Sequence, residues 1–527
     1  MRILVAESIA PEGVAALKAR HDVDVRTGLS AAELRAIVGE YDALVVRSQV
    51  QADADLIAAG TRLQVIARAG VGVDNVDLEA ATRAGITVVN APTGNTIAAA
   101  EHTIALLMAL ARKVPAGDAS IRRGEWTRGP LQGVQLRGRT LGIIGLGKIG
   151  MAVAERARGL GMGLLGSDPY VTAEQAALRG VGLVTLEALL ERSDAVTVHV
   201  PLGRSTSSLI DAAALARMRP SAFILNVARG GIIDEAALAA ALRESRLAGA
   251  AVDVFEHEPP TGSPLLDAPN TVLTPHLGAS TAEAQVAVAE EVAEQILDVL
   301  DGRPARYAVN APLLSAEAEQ TIGPYLPLAE LLGRFVAQFA RDGVSTFTVE
   351  VAGDLARSEA APITAAALRG LLEVGTTERV NVVNAGIIAK ARGISVVERR
   401  STEAGGFPAS VTVTGASSGS SVTVGGTVAG GELRLVRLNR YRLDMAIDDR
   451  MLITRHRDQP GTIGRFGQLL GAADVNISSM HLARSAPRAD ALMLVSVDDD
   501  IPASVEAALR ADEGVLDLWV IRLQGRA

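Results

Sequence analysis

The 527-residue chain contains no cysteine. That excludes disulfide frameworks, thiolate zinc sites, iron–sulfur clusters and thiol nucleophiles. Nor is there a run of about 18 apolar residues free of charge, the length a membrane-spanning helix needs; the nearest stretch, Thr96 to Ala111, carries Glu101 and His102 in its middle. The amino terminus, MRILVAESIA, lacks the charged, apolar and small-residue zones of a signal peptide and reads as a strand. Lysine is scarce, with only Lys18, Lys113, Lys148 and Lys390 against abundant arginine and alanine, which is a compositional bias. A net charge of −9 argues against nucleic acid or an anionic membrane as partner. The expectation is a cytoplasmic protein.

What is present is apolar. A hydrophobic fraction of 48% against 21% charged excludes disorder. At roughly 150 residues per domain the length suggests three or four domains, each large enough for its own core. The first hundred residues alternate β-rich runs with helical patterns, as βα units and a mostly parallel sheet require. After the helical segment TIAAAEHTIALLMALAR a second α/β series opens at RTLGIIGLGKIG and closes at TVLTPHLG. The helix pattern TAEAQVAVAEEVAEQILDVLDG follows and is placed to return the chain to the first unit. Beyond Pro312, valine alternation around Gly/Ser turns in ASVTVTGASSGSSVTVGGTVAGGELRLVRL predicts strands rather than a linker. The last ~75 residues read βαββαβ, the split ferredoxin-like order.

Two constellations carry chemistry. Gly145, Gly147 and Gly150 in GLGKIG stand between a strand and a helix, and Asp168 ends the next strand about twenty residues on. Glycines let the backbone approach a pyrophosphate at a helix N-terminus. Asp168 would accept hydrogen bonds from ribose hydroxyls and repel an added phosphate, favouring NAD over NADP. Downstream, NVARGG, DVFEHEPP and TPHLGAS place Arg229, Asp253, Glu258 and His276 at the ends of β-like runs, where open α/β sheets hold ligands. Histidine is the natural proton acceptor near neutral pH, a carboxylate fixes its tautomer, and arginine forks a substrate carboxylate. Each residue alone reads as surface or core; the series reads as a machine.

In ARAGVGVDNVDLEAATRAGITVVNAPTGNT, GLGKIG, VHVPL, NVARGGIIDE, AVDVFEHEPP and TPHLGAST the chain resembles the D-isomer-specific 2-hydroxyacid dehydrogenases, and among them the long branch that acts on 3-phosphoglycerate. The resemblance covers nearly the whole chain. It implies an α/β fold in which a Rossmann-type doubly wound nucleotide-binding domain (98–280) is inserted in a flavodoxin-like substrate domain (1–97 and 281–310). A small α/β intervening domain (311–447), thought to bind substrate allosterically, and a βαββαβ ACT domain (451–527) would follow. The implied catalytic residues are Arg229, Glu258 and His276. NAD would contact Gly145, Gly147, Lys148, Ile149, Gly150, Asp168, Val227, Ala228, Asp253, His276, Gly278 and Ala279. Substrate would meet Arg47, Ser48, Val71, Gly72 and Arg229. Val71 departs from relatives that carry threonine there, leaving only a backbone contact. Trp126 and Arg128 lie in a segment resembling a loop that reaches a neighbouring subunit, and a homodimer or homotetramer is expected. No metal site is.

The ACT resemblance rests on RHRDQPGTIG and DVNISS. It implies an amino-acid effector, L-serine, held by His456, Asp458 and Asn476 around the helix N-terminus after Pro460–Gly461. Arg434, Arg437, Arg440 and Arg442 offer either an anion site or a solvated strand face. Two other readings share most of these features: a glyoxylate or hydroxypyruvate reductase of the same fold, and a dinucleotide-sensing binding protein or co-repressor. The long carboxy-terminal extension disfavours the first, and the complete Arg229, Glu258 and His276 set disfavours the second.

Overall fold

The computed structural model describes residues 1–312, 316–340, 342–376 and 378–523, so the last four residues of the expected ACT segment lie outside it. Among the described residues the strands form four sheets. The first has the parallel order Asp22–Val25, Arg2–Val5, Ala43–Val46, Val65–Arg68, Thr87–Asn90, which is the flavodoxin-like arrangement. Its central strand Ala43–Val46 is a continuous, fully buried apolar run, and Val65–Arg68 is apolar up to its terminal arginine. Asp22–Val25 escaped the sequence reading: it is an edge strand that alternates Asp with Val and is nowhere fully buried. The helix Ala282–Leu300, capped by Thr281, packs Val288, Val292, Ala293 and Ile296 into one core with Ile3, Val5, Ala43 and Val65.

The second sheet is also parallel, in the order Thr271–Leu273, Gly249–Val252, Phe223–Asn226, Ala195–Val198, Thr140–Ile144, Gly163–Ser167, Gly182–Leu183. The chain enters mid-sheet at Thr140–Ile144, builds to one side, then returns to build the other. The resulting switch point, between Thr140–Ile144 and Ala195–Val198, is where a doubly wound sheet opens a ligand crevice at its carboxyl edge. Helix Thr96–Ala111 leads the chain in from the first sheet and buries Leu106, Leu107 and Leu110 in the second core.

The third sheet is antiparallel except for its first pair, Ser395–Ser401 with Thr346–Gly353. The Gly/Ser-rich stretch forms Ala409–Ala416, Ser421–Ala429 and Glu432–Leu438, the last two joined by a turn in which Gly430 and Gly431 both take positive φ. The last unit runs strand Arg450–Arg457, helix Thr462–Ala472, strands Ile477–Arg484 and Asp490–Val497, helix Ala503–Arg510 and strand Val515–Arg522. Met451, Ile453, Leu494 and Ile521 share a core with Phe335 and Val336 of helix Tyr325–Phe339, and Trp519 stacks on Phe339 at 4.0 Å. The carboxy-terminal part touches the first unit at Asn381, whose Nδ2 donates to the Gly85 carbonyl at 2.6 Å, and at Arg379, which reaches the Leu63 carbonyl. No helix among the described residues is long and apolar enough to cross a membrane.

Candidate active site

The glycine turn after Thr140–Ile144 has the shape of a dinucleotide cradle. Gly145 has φ 91°, and a Cβ there would stand 2.5 Å from the His199 carbonyl. A Cβ on Gly150 would stand 2.0 Å from the Gly145 carbonyl oxygen, so helix and strand touch backbone to backbone. Around Gly147, the N-cap of helix Lys148–Gly159, a Cβ would meet nothing within 4 Å, which leaves the helix N-terminus open to an anion. The Asp168 carboxylate accepts the Leu146 N–H and the Tyr170 N–H, each at 2.8 Å. It is thereby anchored above the turn with lone pairs to spare. Next to Leu146 lies a cleft of about 320 Å³ whose lining mixes apolar Met151, Val171 and Leu178 with Gln175 and Arg179. Lys148 lies over the Tyr307 ring, and Ile149 flanks it, half-buried.

The candidate catalytic side chains Arg229, Glu258 and His276 sit at the carboxyl ends of three adjacent strands. Glu258 follows Gly249–Val252, and its Oε2 lies 2.8 Å from His276 Nδ1. Burial raises the Glu258 carboxyl, but the His276 hydrogen bond and charge, with the Phe255 N–H, outweigh it and hold it below its ordinary value. An ionised acceptor on Nδ1 puts the proton there and leaves Nε2 free as a base. His276 itself has φ 56°, a left-handed backbone that a β-carbon disfavours. It is held by its N–H to the Asp253 carbonyl at 2.9 Å, while the fully buried Asp253 side chain accepts the Leu277 and Gly278 N–H groups. Ala279 closes the turn, its carbonyl accepting Gln285. Val227 is buried, and the Ala228 N–H is turned onto the Asn226 side chain.

Arg229, after Phe223–Asn226, meets the first domain. Its Nε donates to Asp74 at 3.2 Å, and a Cβ on Gly72 would lie 2.0 Å from its Nη2, so the guanidinium rests directly on the Gly72 backbone. The Val71 carbonyl accepts Asn90, which fixes the loop's backbone. Glu7, 9% exposed, accepts the N–H groups of Arg47, Gln49 and Val50 and so shapes the Arg47–Ser48 turn, with Ser48 exposed.

Arg68 was missed by the sequence reading, for it passes as an ordinary strand-end arginine. Burial, with Arg229 and Arg47 nearby, pushes its guanidinium down to about 10, and its buried Nε finds no partner among the described residues. Arg229 and Arg47 thus lie near enough to act on Arg68, with Asp74 and Glu7 in partial compensation. Two histidines were missed as well. His102 approaches Asp253, and His199, at the switch point, is driven to about 4 by burial and stays neutral.

The expected effector residues do not converge within one chain. Asp458 N–H donates to the Ala489 carbonyl at one end of strand Asp490–Val497, and Asp498 N–H donates to the Asn476 carbonyl at the other. Eight residues lie between, about 27 Å at ~3.4 Å per residue. The grouping around one helix N-terminus is therefore corrected by the strand register. Asp458 pairs with Arg484, and Asn476 donates to Asp498. His456, 2% exposed, points inward at Phe466 and is not presented to a ligand. Arg434 is taken up by Asp444 and Glu432, Arg437 by the Asn439 carbonyl and Arg440 by the Tyr441 hydroxyl, while Arg442 is exposed, so the solvated-face reading fits that strand. Trp126 is 80% exposed and Arg128 is exposed too. No group of three metal-ligating side chains occurs among the described residues.

The fold and the site define a dehydrogenase class. Residues 104–278 match the NAD binding domain of D-isomer specific 2-hydroxyacid dehydrogenases, 321–439 the D-3-phosphoglycerate dehydrogenase intervening domain, and 450–514 the ACT domain. The chain is 46% identical over 525 residues to a D-3-phosphoglycerate dehydrogenase of Synechocystis sp., covering 99% of this chain and 95% of that protein. It is 40% identical to the one of Archaeoglobus fulgidus, over 99% and 100%. Among solved structures, the TT0316 protein from Thermus thermophilus is similar at 38% identity and a TM-score of 0.55, over 59% of this chain and 100% of that one. The chain belongs to the D-3-phosphoglycerate dehydrogenase family.

Proposed function

We propose that the chain oxidises 3-phospho-D-glycerate at C2 to 3-phosphooxypyruvate, the entry to L-serine synthesis. The observations that carry this are the His276–Glu258 contact at the carboxyl edge of the second sheet and the closeness of Arg229 and Arg47 to the buried Arg68, where Arg229 meets Asp74 of the first unit. A substrate bearing both a carboxylate and a phosphate needs such a cluster, and a simple hydroxy acid does not.

The glycine turn, the N-terminus of helix Lys148–Gly159 and Asp168 hold NAD, with Val227, Ala228, Asp253 and the segment 276–279 lining the nicotinamide end. When bound, NAD supplies the two-electron acceptor for the hydrogen leaving C2. His276 Nε2 takes the hydroxyl proton, and Glu258 stabilises the imidazolium so formed. Arg229 grips the carboxylate and polarises the forming carbonyl, the backbone of Val71 and Gly72 completes the carboxylate seat, and Arg47, Ser48 and Arg68 take the phosphate. The test is NADH formation with 3-phosphoglycerate against unphosphorylated glycerate. Equal kcat/KM for the two overturns the phosphate assignment and favours a general hydroxyacid reductase.

The chain divides functionally at 1–97 with 281–310, 98–280, 311–447 and 451–527. L-Serine is the effector, bound by Asp458 with Asn476 supplied by a second copy of the chain, because one chain separates the two by the length of a strand. The exposed Trp126 and Arg128 suit contact with that second copy.

A further inference from the structure

The buried carboxylate of Asp253 gathers the loop that carries the base. Its side chain accepts the N–H groups of Leu277 and Gly278 at 2.8 and 2.9 Å and the Thr274 hydroxyl, and its carbonyl accepts the His276 N–H. Every one of those donors comes from the same short turn. A further partner comes from elsewhere: His102 Nε2 lies 3.1 Å from Asp253 Oδ1 and 3.2 Å from Thr274 Oγ1, and it is 151 residues distant in sequence from Asp253. His102 rides on helix Thr96–Ala111, which links the first sheet to the second. A carboxylate oxygen only accepts, so the contact is a hydrogen bond in the tautomer that carries its proton on Nε2.

We propose that His102 is a positioning residue for the dehydrogenase reaction, tying the helix that joins the two sheets to the Asp253 carboxylate and so holding the turn of His276 in register with Glu258. The link is mechanical. A φ of 56° at His276 persists only if its surroundings over-determine it, and Asp253 is the group that does so. With 0% exposure, Asp253 has no water to replace a lost donor, so its orientation depends on the protein donors present. His102 is the one among these that does not belong to the turn being held. It therefore fixes the turn relative to the rest of the molecule rather than to itself. This rests on the assignment of His276 as the base.

The experiment compares His102→Leu and His102→Gln with the full-length wild-type chain. Three readings are taken: steady-state kinetics, NAD affinity by quenching of protein fluorescence, and Tm. Leucine keeps the apolar contacts and removes the donor, whereas glutamine restores a neutral N–H. The expectation is a kcat loss of about 10- to 100-fold in the leucine variant, the scale on which small misplacements act. KM for 3-phosphoglycerate and the NAD dissociation constant should stay within about threefold, and glutamine should recover most of kcat. Wild-type kcat in the leucine variant overturns the proposal. So does a kcat loss that glutamine fails to recover although its Tm matches wild type. If His276→Ala leaves turnover intact, the base assignment fails first, and that result is distinct from either of these.

Discussion

Replacing Glu258 with glutamine separates the charge of the dyad from its hydrogen bond. The amide oxygen can still accept the Nδ1 proton of His276, so the tautomer survives while the negative charge is lost. At a 2.8 Å contact the charges lie about 4 Å apart, which corresponds to about 4 kcal/mol at an effective dielectric of 20. The side chains of His276 and Glu258 are 44% and 39% exposed, so solvent screens much of this. What remains is on the order of 1 kcal/mol or less. The sign follows from linkage. Glu258 is held below its ordinary value by His276, so it is ionised at neutral pH and favours the charged ring in return. Without that charge the imidazolium is less stable, so the acid limb of the kcat/KM profile should move to lower pH while kcat falls. The assay is NADH formation from pH 5 to 9 at constant ionic strength. An acid limb that stays in place refutes the electrostatic role of Glu258.

Other perturbations read other parts of the site. Asp168→Ala should relax the preference for NAD over NADP, since it deletes ribose contacts and the repulsion of a 2′-phosphate together; an unchanged ratio of kcat/KM values would place the ribose elsewhere. Arg68→Met should raise KM for 3-phosphoglycerate by about 10- to 100-fold, the loss of one charge-assisted contact, and raise Tm because a buried cation without a full set of partners is removed. A lowered Tm with unchanged KM would make Arg68 structural. Asp458→Ala and Asn476→Ala should each abolish inhibition by L-serine, whereas hybrids assembled from the two variants should regain part of it. Failure of the hybrids to regain any would argue against an effector site shared between copies.

The local determinants were legible in the sequence. The glycine turn, the helix that follows and Asp168 lie within a few dozen residues, and their geometry is a property of short-range dihedrals and of two chemical periods. Gly145, Gly147 and Gly150 are separately a left-handed turn, an open approach and a close packing contact, and each role depends on glycine having no β-carbon. Much of the order of strands and helices followed from the same periods; among the elements that did not are the edge strands Asp22–Val25, whose position lets it carry aspartates, and Gly182–Leu183, too short to show a period. Only tertiary structure could decide what long-range pairing decides. Glu7 shapes the Arg47 turn from 40 residues away, and Arg229 meets Asp74 across 155. His102 reaches Asp253 across 151. Arg68 acquires its character from burial beside two other arginines, and no feature of IARAG encodes that. Most plainly, Asp458 and Asn476 are 18 positions apart in sequence, yet antiparallel register sets them at opposite ends of one strand. Residue types specify which groups can pair; sheet order and burial decide which of them meet.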